Sequence, residues 1–284
     1  MKILAVQIQQ QGDLSLTELI TEIQALPLAA RRFAGSDLRL DEANLEGDLH
    51  TYVDFAKARS GHGPGRMSRH APLTEIDLGE DEFFGEDTGL IFDRPTGKAA
   101  LQFNQFGPRL RAIEDYINIA ARNLGHDQSS FAMGQLLKPD AYARLAQLGL
   151  YKEIDYKISV PGADRAGLTA GRSVGEMLRA PLPGGVETIN VTLSASTKRD
   201  SSLNPEGVMA IVNDLQRAGD AVKRAVVKGR DVNGRKERID LIEEFLSVDV
   251  DLRPARGHRY ARPDRWISLR NTLNAWRAEG GPFA

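Results

Sequence analysis

Alternating hydrophobic and polar residues predict that the first half of the chain is rich in strands. Lys2–Gln9 alternates and indicates the first strand. Hydrophobic residues at helical spacing follow in Ser15–Leu26, and Asp13 or Ser15 is placed to cap that helix. Residues 30–46 are polar and poorly periodic, so we expect a loop there.

Further alternating stretches and one helix complete this half. The strands are predicted at His50–Arg59, Leu73–Leu78, Thr88–Asp93 and Lys98–Gln105. The last two flank Arg94–Gly97, whose proline and glycine are typical of a turn, and therefore form a hairpin. Pro108 suits the first turn of a helix that extends to about Asn123.

The second half alternates strands with helices. Strands are predicted at Ser130–Leu137, Tyr151–Val160, Glu187–Ser196, Ala221–Arg230 and Ser247–Arg253. Helices are predicted at Pro139–Leu148, Ser173–Arg179, Pro205–Ala218 (capped by Asn204), Ile239–Phe245 and Arg265–Ala278. We therefore predict an α+β fold: an antiparallel β-meander with helices over residues 1–125, then an alternating strand/helix domain with a mixed sheet and a basic C-terminal part over residues 126–284.

Composition excludes several classes of protein. The 284 residues are 41% hydrophobic and 27% charged, which is typical of a chain that buries a core. The absence of cysteine excludes disulfides, a thiolate nucleophile and thiolate metal sites. The first residues are apolar for too short a stretch to predict a signal peptide, and no run is long enough for a membrane helix. We expect a cytoplasmic protein that does not bind membranes.

The net charge of −2 means that any binding of nucleic acid depends on a local basic patch. One candidate is the glycine-rich segment Ser60–His70, which carries Arg66 and Arg69 and follows Arg59. Glycine lets main-chain N–H groups approach a phosphate backbone, and arginine pairs with phosphate through two donors. The alternative is a surface loop, and His62 and His70 lack the carboxylate pattern of a metal site.

The second candidate patch is the C-terminal quarter, because residues 221–284 hold 14 Lys/Arg and 9 Asp/Glu. Arginines interleaved with Tyr260 and Trp266 suit nucleic acid, since guanidinium groups bind phosphates and rings stack on bases. The predicted nucleic-acid-binding residues are Arg59, Arg66, Arg69, Arg253, Arg256, Arg259, Tyr260, Arg262 and Arg265. The alternative is a solvated arginine-rich connector with Trp266 anchored in the core.

Carboxylates cluster in residues 71–93, where there are eight and no Lys or Arg. Crowded carboxylates are able to hold Mg²⁺, but a solvated loop or a contact with a basic partner fits this segment better. Separately, Pro139-Asp140 and Asp155-Tyr156-Lys157 imitate the signature of Mg²⁺-dependent nucleases. The expected placement of Asp140 on a helix, rather than on a strand beside Asp155 and Lys157, disfavours that reading.

The order of features resembles an uncharacterised bacterial protein family associated with mobile elements and phage defence. The resemblance is carried by Tyr52–Arg59, Glu86–Asp93, Leu101–Gln105, Val226–Asp231 and Ile239–Ile242. It implies a role in conflict between bacteria and phages or plasmids, and it implies no reaction and no catalytic residue.

Because the common catalytic motifs are absent, the sequence favours a binding role without a cofactor over an enzyme. Our first hypothesis is a nucleic-acid-binding component of a phage-defence or mobile-element system. The alternatives are a protein–protein adaptor or assembly subunit, which includes self-association, and a Mg²⁺-dependent nuclease that uses Asp140, Asp155 and Lys157.

Overall fold

The computed structural model describes residues 1–33, 37–45, 47, 49–59, 64–66, 69–70, 72–159, 185–254 and 259–278. The strands are β1 (Lys2–Gln11), β2 (Leu38–Asn44), β3 (His50–Ala58), β4 (Gly85–Asp93), β5 (Lys98–Phe103), β6 (Ser130–Gln135), β7 (Leu148–Ser159), β8 (Thr188–Ser194), β9 (Val222–Asp231), β10 (Lys236–Asp240) and β11 (Ser247–Asp249). The helices are α1 (Leu16–Ala25), α2 (Leu110–Asn123), α3 (Pro139–Ala146), α4 (Pro205–Ala218) and α5 (Arg262–Ala278), with short 3-10 turns at Leu28–Arg31 and Gly219–Ala221. The predicted α+β fold is confirmed.

The larger sheet has seven strands in the order β11-β1-β5-β4-β3-β2, with β6 on the same side of β1 as β11. Every described pair in it is antiparallel, and β2 to β5 form the predicted meander. β11 pairs with residues 2–4 of β1, and β6 pairs with residues 6–11. Since β6 and β11 belong to this sheet, the predicted boundary at residue 125 does not separate the two sheets.

Helices cover both faces of the larger sheet. Leu16, Leu19, Ile20 and Ile23 of α1 are buried on one face, together with the apolar side of α2. On the other face α5 packs Leu269, Leu273 and Trp276 against Ile3, Ala5, Ile91 and Ala100. The first strand is therefore buried on both faces over residues 3–6, which explains its nearly continuous apolar run.

The smaller sheet has four strands in the order β10-β9-β7-β8, and α3 and α4 cover one of its faces. Ile154, Tyr156 and Ile158 of β7 point into that core with Ala225 and Val227 of β9. Residues that alternate with these, such as Glu153 and Lys157, lie on the opposite face. The described part of this face therefore presents polar and charged side chains.

Local signals in the sequence account for several boundaries. Ser15 caps α1 in a reciprocal capping box with Glu18, and the Asn204 side chain accepts hydrogen bonds from two backbone N–H groups at the start of α4. The predicted turn at Arg94–Gly97 is confirmed, with Gly97 at a φ angle of 65°, and Gly234 adopts a φ angle of 78° between β9 and β10. Glycine fits these positions because a Cβ disfavours that backbone region.

Several expectations differ from the structure. Residues 30–46 contain strand β2, because Leu38, Leu40 and Ala43 fill the core beneath the sheet. Leu73–Leu78 is not a strand: its only described pairing is one bridge between Arg66 and Thr74. The helix predicted at Ile239–Phe245 is absent: Ile239 and Asp240 belong to β10, which pairs with β9, and residues 241–244 form turns. Helix α3 ends at Ala146 rather than at Leu148, which begins β7.

The last difference concerns the predicted mixed sheet. All described pairs of the smaller sheet are antiparallel: β7 with β8, β7 with β9 and β9 with β10. The helix predicted at Ser173–Arg179 lies outside the described residues. Within the described chain, no helix combines the length and the apolar character that crossing a membrane requires.

Candidate nucleic-acid interface

The arginines predicted near the C-terminus hold helix α5 to the larger sheet. Arg262 lies 2.6 Å from Asp54, 2.9 Å from Asp41 and 3.2 Å from Glu42. These carboxylates come from β2 and β3, which are far from Arg262 in sequence. The first turn of α5 is therefore fixed by ion pairs with two strands.

Arg265 lies deeper in the same contact. Its guanidinium pairs with Asp54 at 2.7 Å and with Asp87 at 2.5 Å, and its side chain is only 1% exposed. Burial raises the pKa of Asp54 despite the adjacent Arg265 and Arg262. Burial also acts to raise the pKa of Asp87, but Arg265 and Arg259 act more strongly, so that pKa lies below its ordinary value. The buried guanidinium of Arg265 cannot reach a phosphate in solution.

Gly89 of β4 leaves room for this network. A Cβ at this position would lie 3.1 Å from both Arg265 Nε and Asp54 Oδ1. The Trp266 indole donates a hydrogen bond to the same Asp54 oxygen at 3.2 Å. Trp266 is thus anchored against the sheet. Asp54, which lies between the apolar residues Val53 and Phe55 of β3, orients three side chains of α5.

Two more predicted arginines join the same acidic surface. Arg259 pairs with Asp87 at 2.7 Å, and Arg59 lies 3.7 Å from Glu86 while its guanidinium stacks over the Phe106 ring at 4.8 Å. Four arginines therefore meet five carboxylates. The carboxylates are Asp41, Glu42, Asp54, Glu86 and Asp87. This cluster has no positive excess with which to attract a polyanion.

The remaining predicted residues that the structure describes form no ion pair or side-chain hydrogen bond with this cluster. Arg66 and Arg69 are exposed, and the backbone of Arg66 bridges to Thr74. Arg253 is exposed and Tyr260 is half-buried. Arg256 lies outside the described residues, as does His62.

A second group of basic residues forms a groove on the smaller sheet, with a volume of about 490 Å³. We call it the basic groove. Its lining includes seven cations and two carboxylates. The cations are Lys152, Lys198, Arg199, Lys228, Arg230, Lys236 and Arg238, and the carboxylates are Glu153 and Glu237. Four of the cations lie on β9 and β10, and the others come from β7 and the segment after β8.

Several cations in this sheet stand directly opposite one another on neighbouring strands. Lys228 pairs in register with Arg238, and Arg230 pairs with Lys236. Farther along the same face, Lys157 pairs with Arg224. Like charges in directly opposite positions destabilise an antiparallel pair. The folded protein therefore holds its cations close together at a cost in stability.

Some of this charge is balanced within the protein. Lys228 pairs with Glu153 at 2.7 Å, and Lys152 donates to the backbone carbonyls of Lys198 and Arg199 at 3.2 and 2.9 Å. Those last two contacts do not reduce the charge, because carbonyls are neutral. Lys198, Arg199 and Lys236 form no ion pair within the described residues. The groove keeps a clear positive excess.

The nuclease candidates are arranged differently from a metal site. Asp140 lies in the first turn of α3, whereas Asp155 and Lys157 lie on β7. Asp155 forms an ion pair with Arg224 at 2.7 Å and accepts a hydrogen bond from Thr192. Among the described residues, no group of three His, Asp or Glu side chains is placed to hold a metal ion.

The acidic stretch divides into two parts. Residues 72–83 are exposed, and within this segment the apolar residues Leu73 and Phe83 are 67% and 63% exposed. Asp87 and Asp93 instead form ion pairs with arginines of α5. Asp93 is fully buried and pairs with Arg277 at 2.7 Å. The first part pairs with no described strand of the sheet and is a candidate contact surface.

Sequence reasoning missed the carboxylate partners and the register. An aspartate between Val53 and Phe55 was a signal that a cation lies nearby, but the sequence does not say which cation. The basic residues at 223–238 were visible as neighbours in sequence, yet their grouping with Lys152, Lys198 and Arg199 depends on strand pairing.

One protein-family model matches residues 6–256, and its description is a family of unknown function, DUF6731. The match includes both sheets and all seven cations of the basic groove, and it ends before α5. No curated protein matches the chain.

Proposed function

We propose that this chain, which belongs to the DUF6731 family, binds nucleic acid through the basic groove. The observation that carries the proposal is the in-register juxtaposition of cations on β9 and β10. Such pairs oppose folding, and a phosphate backbone laid across them would remove the repulsion. The role is binding and not catalysis.

The chemistry of the groove favours contact with the backbone of the nucleic acid. Guanidinium and ammonium groups bind phosphate oxygens, and Ser194, Ser196 and Thr197 add hydroxyl donors to the lining. The described lining residues include no aromatic side chain and therefore offer no platform for stacking bases. We therefore expect weak dependence on sequence and a preference for duplexes over single strands.

The expected ligand, nucleic acid, is unchanged, but the proposed binding site is the basic groove and not the arginines near the C-terminus. The arginines of α5 contribute to folding in this view, whereas the cations of β9 and β10 contribute to binding. The bacterial phage-defence or mobile-element setting, and a cytoplasmic location where nucleic acid is accessible, remain predictions from the sequence.

Fluorescence anisotropy with labelled single- and double-stranded DNA and RNA tests the proposal. Salt would be raised from about 50 to about 300 mM, and we expect the logarithm of affinity to fall linearly with the logarithm of salt concentration. The key variant combines Lys198→Gln, Arg199→Gln and Lys236→Gln. It should bind more weakly and show a shallower salt slope, by up to about three released counterions.

The matched control is a triple variant of exposed cations outside the groove, Lys2→Gln, Arg122→Gln and Arg270→Gln. It removes the same net charge and should bind as wild type does. Absence of binding at about 50 mM salt contradicts the proposal, because electrostatic affinity is strongest there. Equal loss in both triple variants means that net charge, and not the groove, determines binding.

A second candidate function is assembly with a protein partner, which includes another copy of the chain. The observation that favours it is the exposed acidic and apolar segment at residues 72–83, whose charge complements the basic groove. Light scattering after size exclusion, with and without Phe83→Ser, tests self-association. A monomer at all concentrations would contradict self-association.

A further inference from the structure

A second cleft lies between the two sheets, away from the basic groove. Its walls are β1 and β6 on one side and α3 and α4 on the other, and its volume is about 490 Å³. Small-molecule sites commonly have volumes of about 300–1,000 Å³. We call it the glutamine cleft, because Gln7, Gln9 and Gln11 line it.

The three glutamines form a row on one face of β1. They alternate with Ile8, whose side chain fills the core on the opposite face. The Gln7 amide donates to the carbonyl of Gly97 at 2.9 Å, which fixes that end of the row. The side-chain oxygen of Gln9, Oε1, accepts a long hydrogen bond from the Arg217 guanidinium at 3.4 Å. The row thus offers amide groups at regular spacing of roughly 6.8 Å.

Small residues of β6 open space above this row. Ala132 stands opposite Gln9, and Gly134 stands opposite Gln7. The nearest atom to a Cβ built at Gly134 is Cγ of Arg217 at 3.6 Å, so larger side chains there would extend toward the opposite wall. The cleft depends on this pair of small residues.

The opposite wall is a set of hydrogen-bonding groups, some of them deeply buried. Asn213, Asp214 and Arg217 come from α4, and Asp214 is only 3% exposed. Gln216, which is 8% exposed, donates to the Gln135 carbonyl at 2.9 Å and to the Tyr142 hydroxyl at 2.7 Å. These bonds hold Tyr142 in place at the edge of the cleft.

The buried hydroxyl of Tyr156 lies behind this wall. Burial and the Asp214 carboxylate raise the pKa of Tyr156 to about 12, so the hydroxyl keeps its proton at neutral pH. Tyr156 Oη has no hydrogen-bond partner among the described residues. Tyr156 does not belong to the described lining of the cleft, so its hydroxyl is not one of the ligand contacts.

The composition of the lining defines the ligand. Amide side chains both donate and accept hydrogen bonds, as ligand hydroxyl groups also do. The lining holds one carboxylate and one guanidinium, so it has no charge excess that would select an anion or a cation. Ala132, Leu136 and Ala210 offer apolar contact for C–H groups. We propose that the glutamine cleft binds a neutral polyhydroxylated molecule, a saccharide of one or two rings.

Saturation-transfer difference NMR with ribose, glucose and maltose tests this proposal on the full chain. We expect transfer to at least one of these sugars. The double variant Gln9→Ala with Asn213→Ala removes two exposed amides, and loss of two hydrogen bonds predicts about thirtyfold weaker binding. Gln147→Ala, an exposed amide outside the cleft, is the control and should leave transfer unchanged.

Two outcomes would overturn the proposal. One is the absence of transfer to all three sugars in a protein whose far-UV circular dichroism shows the folded state. The other is transfer that persists in the double variant, which would place the sugar elsewhere. Neither outcome affects the basic groove, because the two sites share no lining residue.

Discussion

Arg265 of α5 and Asp54 of β3 form an ion pair in which each side chain is 1% exposed, with 2.7 Å between Nη2 and Oδ2. The pair lies where the helix crosses the sheet, 211 positions apart in sequence. Removing two charges from water is costly, so such a pair specifies how α5 docks more than it adds net stability.

Breaking the pair on one side should be strongly destabilising. Asp54→Leu removes one of the two carboxylate partners of the buried Arg265, and we expect a loss of about 3–5 kcal/mol in the free energy of unfolding. Replacing both residues, as Asp54→Leu with Arg265→Met, should cost less than the sum of Asp54→Leu alone and Arg265→Met alone. Urea denaturation of the four proteins measures this coupling, and strict additivity would show that the contact is energetically unimportant.

Acid should weaken the protein partly through Asp87. Its pKa is lowered in the folded state, so its contribution is complete above the ordinary value of 3.8 and is lost as the pH falls through the folded pKa. Asp54, whose pKa is raised, acts in the opposite sense. Asp87→Asn should therefore lose less stability than wild type between about pH 5 and about pH 3.

The measurement is urea denaturation at each pH, with Asp81→Asn as the control. Asp81 is an exposed carboxylate in the acidic segment. The control should keep the pH dependence of wild type. If Asp87→Asn also keeps it, the contacts of Asp87 with Arg259 and Arg265 do not govern acid stability.

Relieving the like-charge pairs should stabilise the protein while it weakens binding. Lys236→Glu places a carboxylate opposite Arg230, and we expect a gain of about 0.5 kcal/mol in the free energy of unfolding. Arg235→Glu, on the adjacent turn, changes net charge equally and should give no such gain. Thermal and urea unfolding measure stability, and anisotropy measures affinity. A loss of stability in Lys236→Glu would show that the groove is not strained by its charge.

The hydroxyl of Tyr116 connects three elements around the larger sheet: α2, β2 and the 3-10 turn at Leu28–Arg31. It accepts a hydrogen bond from the buried Leu40 N–H and donates to the Arg31 carbonyl, both at 2.9 Å. Tyr116→Phe leaves both backbone groups unsatisfied, so we expect a loss of about 1–3 kcal/mol. Tyr260→Phe, a half-buried residue near α5, serves as the comparison in the same denaturation assay. An equal, small effect in both would contradict a special role for Tyr116.

The amino-acid sequence alone was enough to predict most elements and the α+β class. Helices α1 and α4 carry their cap residues, and the hairpin of β4 and β5 carries its turn, so these features depend on neighbours in sequence. The predictions were wrong where contacts between residues far apart in sequence determine the secondary structure. Leu38–Asn44 is polar overall and becomes a strand because β3 pairs with it, and Lys236–Asp240 becomes a strand because β9 does.

The sequence also determined that this chain needs a local patch to bind a polyanion, because charge and composition are properties of the residues themselves. It could not decide which basic residues form that patch. The sequence favoured Arg262 and Arg265 over Arg230 and Lys236, but the tertiary structure places carboxylates against the first two and cations against the second two. The physical reason is that electrostatic energy depends on distance in space, and strand pairing and helix docking alone set which charges are neighbours.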